Sequence, residues 1–353
     1  METFNALENF KIKGKAVNCE RYGNGHINET YRAVTDTGRE YILQKINKNI
    51  FKRPDQLMEN IYAVCGHVSK KVTDPRGALT IINTKDGGFF YLDEGGNYWR
   101  AYDFITDSLC LEAVEYESDF YESAVGFGTF QNMLSDFDAS VLHETIVNFH
   151  NTPDRYRKFR EALEKDAAGR AKEVKVEIDF VLSREKDASV LTDLQNSKLL
   201  PLRVTHNDTK LNNVLFDIKT RKALCVIDLD TVMPGLAAYD FGDSIRFGAS
   251  SAKEDETDLS KVNFVFNLYK IYTEGYLSAC GSSLTKKEIE TLPEGAKLMT
   301  LECGVRFLTD YLEGDHYFRI KYPEHNLVRC RTQFKLVSDM ENRWDKMKNL
   351  VNG

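Results

Sequence analysis

Several polar side chains that could do chemistry crowd the stretch THNDTKLNNVLFD, residues 205–217. They are His206, Asp208, Lys210, Asn212 and Asn213. Apolar residues bracket the stretch, and burying polar groups is costly unless they find hydrogen-bond partners. The first question is therefore whether those partners are protein atoms or a ligand.

Two short apolar runs, VLFD and LCVID, are separated by the turn IKTRK. If they pair as a hairpin, Asn213 at one end and Asp228 at the other come together. An amide oxygen and a carboxylate are ligands that Mg²⁺ accepts from a protein, with water and phosphate oxygens in its other positions. Asp208, on the loop just before, could then orient or deprotonate a hydroxyl nucleophile. The pattern predicts magnesium-assisted phosphoryl transfer to a hydroxyl group.

The spacing of these residues supports the same chemistry. Protein-kinase-like enzymes use the order H-x-D-x-x-x-x-N, with a metal-binding Asp after a hairpin. His206, Asp208, Asn213 and Asp228 follow that order. The alternative is structural, with Asp208 capping a turn and Asn213 ending a strand.

The letters DFG also occur, at residues 240–242, but they lie too far from Asn213 and do not end a hairpin. We interpret Asp240 and Asp243 as carboxylates that brace the catalytic loop, a support that metal sites commonly need.

Three further residues near the loop have alternative roles. Asp230 would share a strand face with Asp228 and could be a second metal ligand, ranked below Asp228. Lys210 either contacts the transferring phosphoryl group or is solvated. His206 is expected to hold the loop, and Asn212 is expected to be structural.

A nucleotide-binding loop is predicted in the stretch YGNGHINETY, between two strands. Gly23 and Gly25 form a G-x-G whose third glycine is replaced by Asn28. Glycine lets backbone N–H groups approach phosphates closely, although a plain hairpin turn is the alternative. Asn28 and Thr30 offer side-chain donors or acceptors nearby.

The following strand, YILQKI, places Gln44 where protein kinases carry a phosphate-binding lysine. Lys45 would need a shift of one residue to take that position. With Gln44 there, Glu59 on the next helix has no ion pair to make with it. Triphosphate binding would then depend on Mg²⁺ and backbone groups.

The composition places limits on the function. The 353 residues carry a formal net charge of −7, which argues against nucleic acid or an anionic membrane as the main partner. No apolar run approaches the roughly 20 residues of a membrane span, and the N-terminal stretch lacks the apolar region of a signal peptide. Seven dispersed cysteines without C-x-x-C spacing suit a reducing cytoplasm.

The order of elements predicts an α+β, bilobal protein-kinase-like fold. Residues 1–105 predict a small antiparallel β-sheet with one helix, which would form the nucleotide-binding lobe. Residues 106–353 predict a larger, mostly helical lobe with the catalytic loop, and a ligand cleft is expected between the lobes. Ser118 is expected to cap the first helix of the second lobe.

The sequence resembles the bacterial N-acetylhexosamine 1-kinases, which belong to the aminoglycoside phosphotransferase and choline kinase branch of the protein-kinase-like fold. The likeness runs from about residue 20 to about 340, and the stretches LECGVRFLTDYLEGD and YPEHNLVRCRTQ carry it most specifically. The resemblance implies ATP- and Mg²⁺-dependent phosphorylation of N-acetylglucosamine or N-acetylgalactosamine at the anomeric hydroxyl.

The resemblance also implies roles for single residues. Asp208 would be the base, with Asn213 and Asp228 as Mg²⁺ ligands. The backbone from Asp103 to Ile105 would hold the adenine. The sugar pocket would be lined by His26, Arg306 and Tyr317.

Two other functions stay open. A kinase of the same fold could act on an amino alcohol or aminoglycoside, but a cationic substrate needs carboxylates, and Arg306 argues against it. A nucleotide-binding pseudokinase is disfavoured by the complete set of Asp208, Asn213 and Asp228. The substrate is expected to be a small molecule, since Asn207 stands where protein kinases place Arg and no A-P-E follows. Nothing in the sequence indicates an additional subunit interface.

Overall fold

A computed structural model describes residues 2–23, 25 and 27–352. Two compact units are present, and each is made of three chain segments. The first unit comprises Met1–Cys110, Asp136–Val147 and Val214–Pro234. The second comprises Leu111–Ser135, Asn148–Asn213 and Gly235–Gly353. The division into residues 1–105 and 106–353 stays a prediction.

The elements are numbered in chain order. The strands are β1 Ala16–Arg21, β2 Glu29–Thr35, β3 Glu40–Lys45, β4 Ile81–Ile82, β5 Tyr91–Leu92, β6 Tyr98–Asp103, β7 Ser108–Cys110, β8 Arg203–Thr205, β9 Val214–Asp217, β10 Ala223–Val226 and β11 Met233–Gly235. The helices are α1 Glu2–Leu7, α2 Pro54–Val68, α3 Glu117–Met133, α4 Thr152–Lys165, α5 Lys175–Ser183, α6 Val190–Asn196, α7 Ala237–Gly248, α8 Phe266–Cys280, α9 Lys286–Glu290, α10 Leu292–Glu313, α11 His325–Glu341 and α12 Trp344–Asn352.

The first unit is built on an antiparallel sheet with the strand order β1-β2-β3-β6-β4, in which β5 also pairs with β6. The predicted hairpin is present as β2 and β3. Its turn contains Gly38 at φ +75°, a backbone conformation that favours glycine. A smaller antiparallel sheet has the order β10-β9-β7. The α+β fold class predicted from the sequence is confirmed.

In the described part of the chain before residue 105, two α-helices are present rather than the one predicted. Pro54 starts α2 as expected. The additional helix is α1. Its last residue, Leu7, and Phe10, which follows the helix, pack into a core with Leu43 and Trp99. Its six residues are too few to show helical periodicity, which is why the sequence did not reveal it.

The second unit is mainly helical. Helices α4, α5, α10 and α11 share one apolar core, in which Phe159, Val181, Leu308 and Val337 are fully buried. Helices α7 and α10 lie so close that a side chain at Gly242 would collide with the backbone of Gly295. Close packing of this kind makes the two helices a rigid support.

The start of α3 differs from the prediction. The helix begins at Glu117, so Ser118 is inside it and does not cap it. Tyr116 holds the N-cap position, and its backbone N–H donates to the Asp119 carboxylate at 2.9 Å. The acidic residue one turn into the helix therefore performs the capping that we predicted for Ser118.

Among the described residues, no helix combines the length and apolar character needed to cross a bilayer.

Candidate functional site

In the second unit, the predicted catalytic loop brings Asp208, Lys210 and Asn213 together. The Lys210 ammonium nitrogen lies 2.7 Å from Asp208 Oδ1. Asn213 Nδ2 donates to the Asp208 carbonyl oxygen at 2.8 Å and to Asp208 Oδ2 at 3.2 Å. The Asp208 side chain is 26% exposed, so its carboxylate is oriented by the protein and still reachable from solvent.

Two carboxylates on α7 hold the backbone of this loop. Asp240 accepts hydrogen bonds from the N–H groups of His206 at 2.8 Å and Asn207 at 2.7 Å. Asp243 accepts from the N–H of Thr209 at 3.0 Å. Residues three apart on a helix share a face, which lets both carboxylates reach one loop. The prediction that Asp240 and Asp243 brace the catalytic loop is confirmed.

The two bracing carboxylates have opposite electrostatic environments. Burial raises the pKa of Asp240 above its ordinary value. Burial acts in the same direction on Asp243, but the cations of Arg246 and Lys210 outweigh it and lower the pKa of that carboxyl. Arg246 Nε lies 2.9 Å from Asp243 Oδ1 and Arg246 Nη1 lies 3.0 Å from Glu254 Oε1. Asp243 is therefore a charged anchor with its own counterion.

The His206 ring contacts both the loop and the core. The backbone N–H of Asp208 donates to His206 Nδ1 at 3.3 Å. The imidazole is fully buried and packs edge-on against Phe127 and Phe130, at centroid distances of 5.5 and 6.2 Å. His206 therefore fixes the loop, as the sequence predicts.

A second histidine, His150, also contacts the loop. Its Nδ1 lies 3.0 Å from Glu302 Oε1, and its Nε2 lies 3.3 Å from the carbonyl oxygen of Asn207. Burial alone would raise the pKa of Glu302, but His150 beside it lowers it. Asn207 has φ +64°, a left-handed conformation that asparagine tolerates better than most residues. This contact supports the strained residue that precedes Asp208.

The predicted sugar-binding residues Arg306 and Tyr317 are neighbours, with Arg306 Nη2 3.5 Å from the Tyr317 hydroxyl. The Arg306 guanidinium also lies 5.8 Å from the ring of Phe149 and 5.4 Å from that of Phe318. Arg155 is a second guanidinium here, and it donates to the Phe149 carbonyl at 2.6 Å. Burial and the positive charge of Arg306 lower the pKa of Arg155. The surroundings of Tyr317 are thus aromatic and cationic.

Asp310 organises the backbone on which Tyr317 lies. Its carboxylate accepts hydrogen bonds from the N–H groups of His316, Tyr317 and Phe318 at 2.7–2.9 Å. Asn326 Nδ2 donates to the same carboxylate at 2.8 Å. Asp310 therefore positions the loop after α10.

In the first unit, the lysine position of protein kinases is filled by Gln44, which joins a chain of polar contacts. Its Nε2 donates to Thr30 Oγ1 at 2.9 Å, and its Oε1 accepts from Arg100 Nε at 2.9 Å. Arg100 Nη1 then lies 2.5 Å from Asp230 Oδ1. Asn28 donates to the other oxygen of Asp230. Gln44 therefore faces an arginine held by a carboxylate.

Lys45 lies on the opposite face of β3. Its ammonium group lies 2.8 Å from Glu2 Oε1 in α1 and 5.4 Å from the centre of the Trp99 ring. Glu59 on α2 pairs with His143, at 2.6 Å. Both side chains have partners away from Gln44.

Asp228 is exposed and adopts φ +59°, so the chain leaves the strand conformation there. Strand β10 already ends at Val226, which pairs with Val214 of β9. The expectation that Asp230 shares a strand face with Asp228 was wrong, because the left-handed residue turns the chain. Asp230 instead points to Arg100.

The predicted phosphate loop is described only in part. His26 lies outside the described residues. Gly23 has φ +72°, and for Gly23 and Gly25 no described atom lies within 4 Å of where a Cβ would be. The backbone conformation therefore favours glycine at Gly23. Packing against described atoms does not require glycine at either Gly23 or Gly25.

The segment predicted to hold adenine already uses some of its backbone. Asp103 N–H donates to the Thr80 carbonyl at 3.0 Å, and Phe104 N–H donates to the Glu40 carbonyl at 3.2 Å. The Ile105 carbonyl accepts from the Ser108 hydroxyl at 2.8 Å. Adenine recognition here would fall to the remaining backbone groups.

Residues 18–263 match the family model described as Phosphotransferase enzyme family, APH. The chain belongs to this family. Membership of the phosphotransferase enzyme family agrees with the order of Asp208, Asn213 and Asp228 along the chain, all of which lie inside the matched range.

Solved structures of other phosphotransferases share the fold of this family member. An aminoglycoside phosphotransferase from Alicyclobacillus acidocaldarius has a TM-score of 0.63 at 11% identity, covering 99% of this chain and 96% of its own. Amicoumacin kinase in complex with AMP-PNP and Ca²⁺ has a TM-score of 0.61 at 11% identity, with coverage of 96% and 92%. A microcompartment-associated aminopropanol kinase has a TM-score of 0.59 at 15% identity, with coverage of 98% and 97%.

Sequence reasoning missed three residues near the predicted sites, namely Arg100, His150 and Arg155. Arg100 contacts Gln44 across 56 residues of chain and His150 contacts Asn207 across 57, and such contacts leave no local spacing to detect. The one available signal was a charged residue, Arg100, inside the apolar strand NYWRAYDFI.

Proposed function

We propose that this phosphotransferase transfers the γ-phosphoryl group of ATP to the anomeric hydroxyl of an N-acetylhexosamine, giving the sugar 1-phosphate. One observation carries the proposal: the Asp208 carboxylate is held between the Lys210 ammonium and the Asn213 amide on a braced loop. A carboxylate that is oriented but reachable suits alignment of a hydroxyl nucleophile.

Magnesium fits the donors that Asn213 and Asp228 provide. Asn213 bonds to Asp208 through Nδ2, so its carbonyl oxygen is the atom suited to a cation. Asp228 supplies an exposed carboxylate, and hard oxygen donors are what Mg²⁺ prefers. When bound with ATP, the ion neutralises phosphate charge. The similar amicoumacin kinase, solved with AMP-PNP and Ca²⁺, supports a nucleotide with a divalent cation.

Asp208 and Lys210, on the same loop, are proposed to have different roles in the transfer. Asp208 accepts the hydrogen bond of the acceptor hydroxyl and aligns its oxygen for attack. An anomeric hydroxyl is more acidic than an ordinary alcohol, so the carboxylate need not be a strong base. Lys210, beside Asp208, places positive charge where the transferred group carries negative charge. Gly23, Gly25 and Thr30 would contribute to nucleotide binding.

The acceptor is proposed to be a neutral sugar because two arginines lie near Tyr317, whereas the nearby Asp310 carboxylate is occupied by backbone N–H groups and Asn326. Arg155 and Arg306 would repel the ammonium group of an amino alcohol. Guanidinium donors and an aromatic ring suit sugar hydroxyls and an acetamido carbonyl. The resemblance in LECGVRFLTDYLEGD, which contains Arg306, supports the same acceptor. ATP use and dispersed cysteines support a cytoplasmic location.

An acceptor panel tests the proposal. The purified protein is incubated with Mg²⁺ and ATP and with N-acetylglucosamine, N-acetylgalactosamine, choline, aminopropanol, an aminoglycoside or no acceptor. We expect ADP release only with the N-acetylhexosamines, together with an acid-labile sugar phosphate.

Two variants complete the test. Asp208→Asn should lose roughly 10²- to 10⁴-fold in kcat while still binding ATP. Asp345→Asn, whose side chain is 91% exposed, serves as a matched control and should behave like the native enzyme. Turnover of an amino alcohol in place of the sugars, or an active Asp208→Asn variant, would contradict the proposal.

A further inference from the structure

The segment that follows β10 and carries Asp228 is held at two points in the first unit. Asp230, two residues later, forms an ion pair with Arg100 in β6 and accepts a hydrogen bond from Asn28, which directly precedes β2. Asn60 in α2 donates to the carbonyl oxygen of Val232 at 3.0 Å. The sheet therefore contacts Asp230 and helix α2 contacts Val232, two and four residues after the predicted metal ligand Asp228.

The contacts made by Asp230 are buried. The side chains of Arg100 and Asp230 are 1% and 6% exposed. One carboxylate oxygen of Asp230 faces Arg100 and the other faces Asn28, so this carboxylate is committed to the protein. Asp230 is thereby unsuited to the role of second metal ligand. A buried charge of this kind stays in place only while its partner is present.

The network continues to the strand that follows the predicted phosphate loop. Arg100 Nε donates to Gln44, and Gln44 donates to Thr30 in β2. The Asn28 side-chain oxygen accepts from the backbone N–H of Asn47 at 3.0 Å. Asn28 and Thr30 come just after the loop that contains Gly23 and Gly25. One continuous set of contacts thus joins that end of the loop to the Asp228 segment.

We propose that Arg100 and Asp230 are positioning residues that hold Asp228 in place for the magnesium–nucleotide complex, an inference that rests on the proposed function. In protein kinases, an ion pair between a strand lysine and a helix glutamate is required for the active arrangement. Here Gln44 occupies the lysine position, and the cation comes from the neighbouring strand. Arg100 acts on the segment that bears the metal ligand instead of on the phosphates.

Calorimetric titration tests this role without any acceptor. ATP is titrated into each protein twice, with Mg²⁺ and with EDTA, and the ratio of the two Kd values gives the gain in affinity due to magnesium. We expect Asp230→Asn and Arg100→Met to reduce that gain by about 10- to 100-fold, the range for outer-shell partners of metal ligands. The Kd measured in EDTA should change by less than about threefold.

Conservative variants separate positioning from folding. Arg100→Lys keeps the charge without the planar fork and should restore part of the magnesium gain. Thermal unfolding identifies any variant that is not folded. If Arg100→Met is unfolded, the positioning role is tested with the milder variants Asp230→Asn and Arg100→Lys. Arg76→Met is the control, because Arg76 also forms ion pairs in the same unit, with Asp74 and Asp217, away from Asp228 and Asp230. It should leave the magnesium gain unchanged.

The proposal is overturned if folded Asp230→Asn and Arg100→Lys both keep the native magnesium gain, or if Arg76→Met loses it equally. Equal weakening with and without Mg²⁺ would also overturn it, since that result indicates general damage. The result is independent of the acceptor. If no sugar is phosphorylated but the magnesium gain responds as expected, the proposed function fails while the positioning role stands.

Discussion

Lys210 places its ammonium nitrogen 2.7 Å from Oδ1 of Asp208, the residue that we propose aligns the acceptor hydroxyl. Burial acts to lower the pKa of Lys210, but the carboxylates of Asp208 and Asp243 outweigh it and raise that pKa. The lysine is therefore charged throughout the physiological range. Without nucleotide, its charge stabilises Asp208, and with nucleotide it can serve the phosphoryl group.

Lys210→Met should lower kcat by about 10²-fold, because a preorganised cation is lost from the place where charge develops in the transition state. The KM for the sugar should change by less than about threefold. Steady-state kinetics with saturating Mg²⁺ and ATP measures both constants. Lys261→Met, on an exposed side chain, is the control. A Lys210→Met variant with native kcat would show that this lysine takes no part in phosphoryl transfer.

Gln44→Lys should weaken the binding of magnesium–ATP rather than strengthen it, although it restores the residue that protein kinases carry. Gln44 Oε1 accepts from Arg100, and an ammonium group there would repel the guanidinium and disturb Asp230. We expect Kd to rise by about tenfold in calorimetry. Gln44→Glu is the comparison variant, because its carboxylate adds charge of the opposite sign and can still accept from Arg100. Tighter binding by Gln44→Lys would mean that this position contacts the phosphates directly.

Arg306→Gln should raise the KM for the N-acetylhexosamine by about tenfold, because one charged donor to the sugar is lost. Binding of magnesium–ATP should be unaffected. Initial rates at varied sugar concentration measure the first effect and calorimetry the second. Arg319→Gln, on a nearby exposed arginine, is the control. Parallel loss of nucleotide binding in Arg306→Gln would contradict a role confined to the sugar.

Arg246→Gln should make the protein sensitive to acid. In the native protein, Arg246 lowers the pKa of Asp243 below its ordinary 3.8 and that of Glu254 below its ordinary 4.5. Carboxyls with lowered pKa values contribute stability that is present above their ordinary pKa and is lost as pH falls through the folded value. The native free energy of unfolding should therefore hold its contribution from these groups down to about pH 4.5.

Without Arg246, burial raises the pKa of Asp243, so the variant is expected to lose stability at a higher pH than the native protein. At pH 7 it should already be destabilised by about 3 kcal/mol, because a buried charge has lost its partner. Urea unfolding at pH 7, 5 and 4 measures both effects. Arg157→Gln removes an exposed arginine from surface ion pairs and should change little. Parallel pH dependence in the native and Arg246→Gln proteins would refute the argument.

The spacing of Asp208 and Asn213 could be predicted from the sequence because a short stretch of chain carries it. The β2–β3 hairpin could be predicted for the same reason, because Gly38 and the alternating strands encode it. The bracing of the loop by Asp240 and Asp243 was also predicted, although those hydrogen bonds join residues 33 and 34 positions apart and depend on the fold.

The partners of Gln44 could not be predicted, because no local pattern relates Arg100 to Asp230. Their pairing depends on two strands and a turn that meet only in the folded unit. The expectation for Asp230 failed because it assumed that a strand continued past Asp228, whereas β10 ends at Val226 and Asp228 is left-handed. The link between His150 and Glu302 has the same origin in tertiary structure.

The bond between Asp240 and the catalytic loop has a consequence for motion. Asp240 belongs to α7, which packs against α10 with Gly242 on the backbone of Gly295. The amide protons of His206 and Asn207 are bonded to a carboxylate on a helix that is itself tightly packed, so we expect their exchange with solvent to be slow. If this loop aligns the acceptor as proposed, it is held in position before the substrate binds, and no ordering of the loop is needed in each turnover.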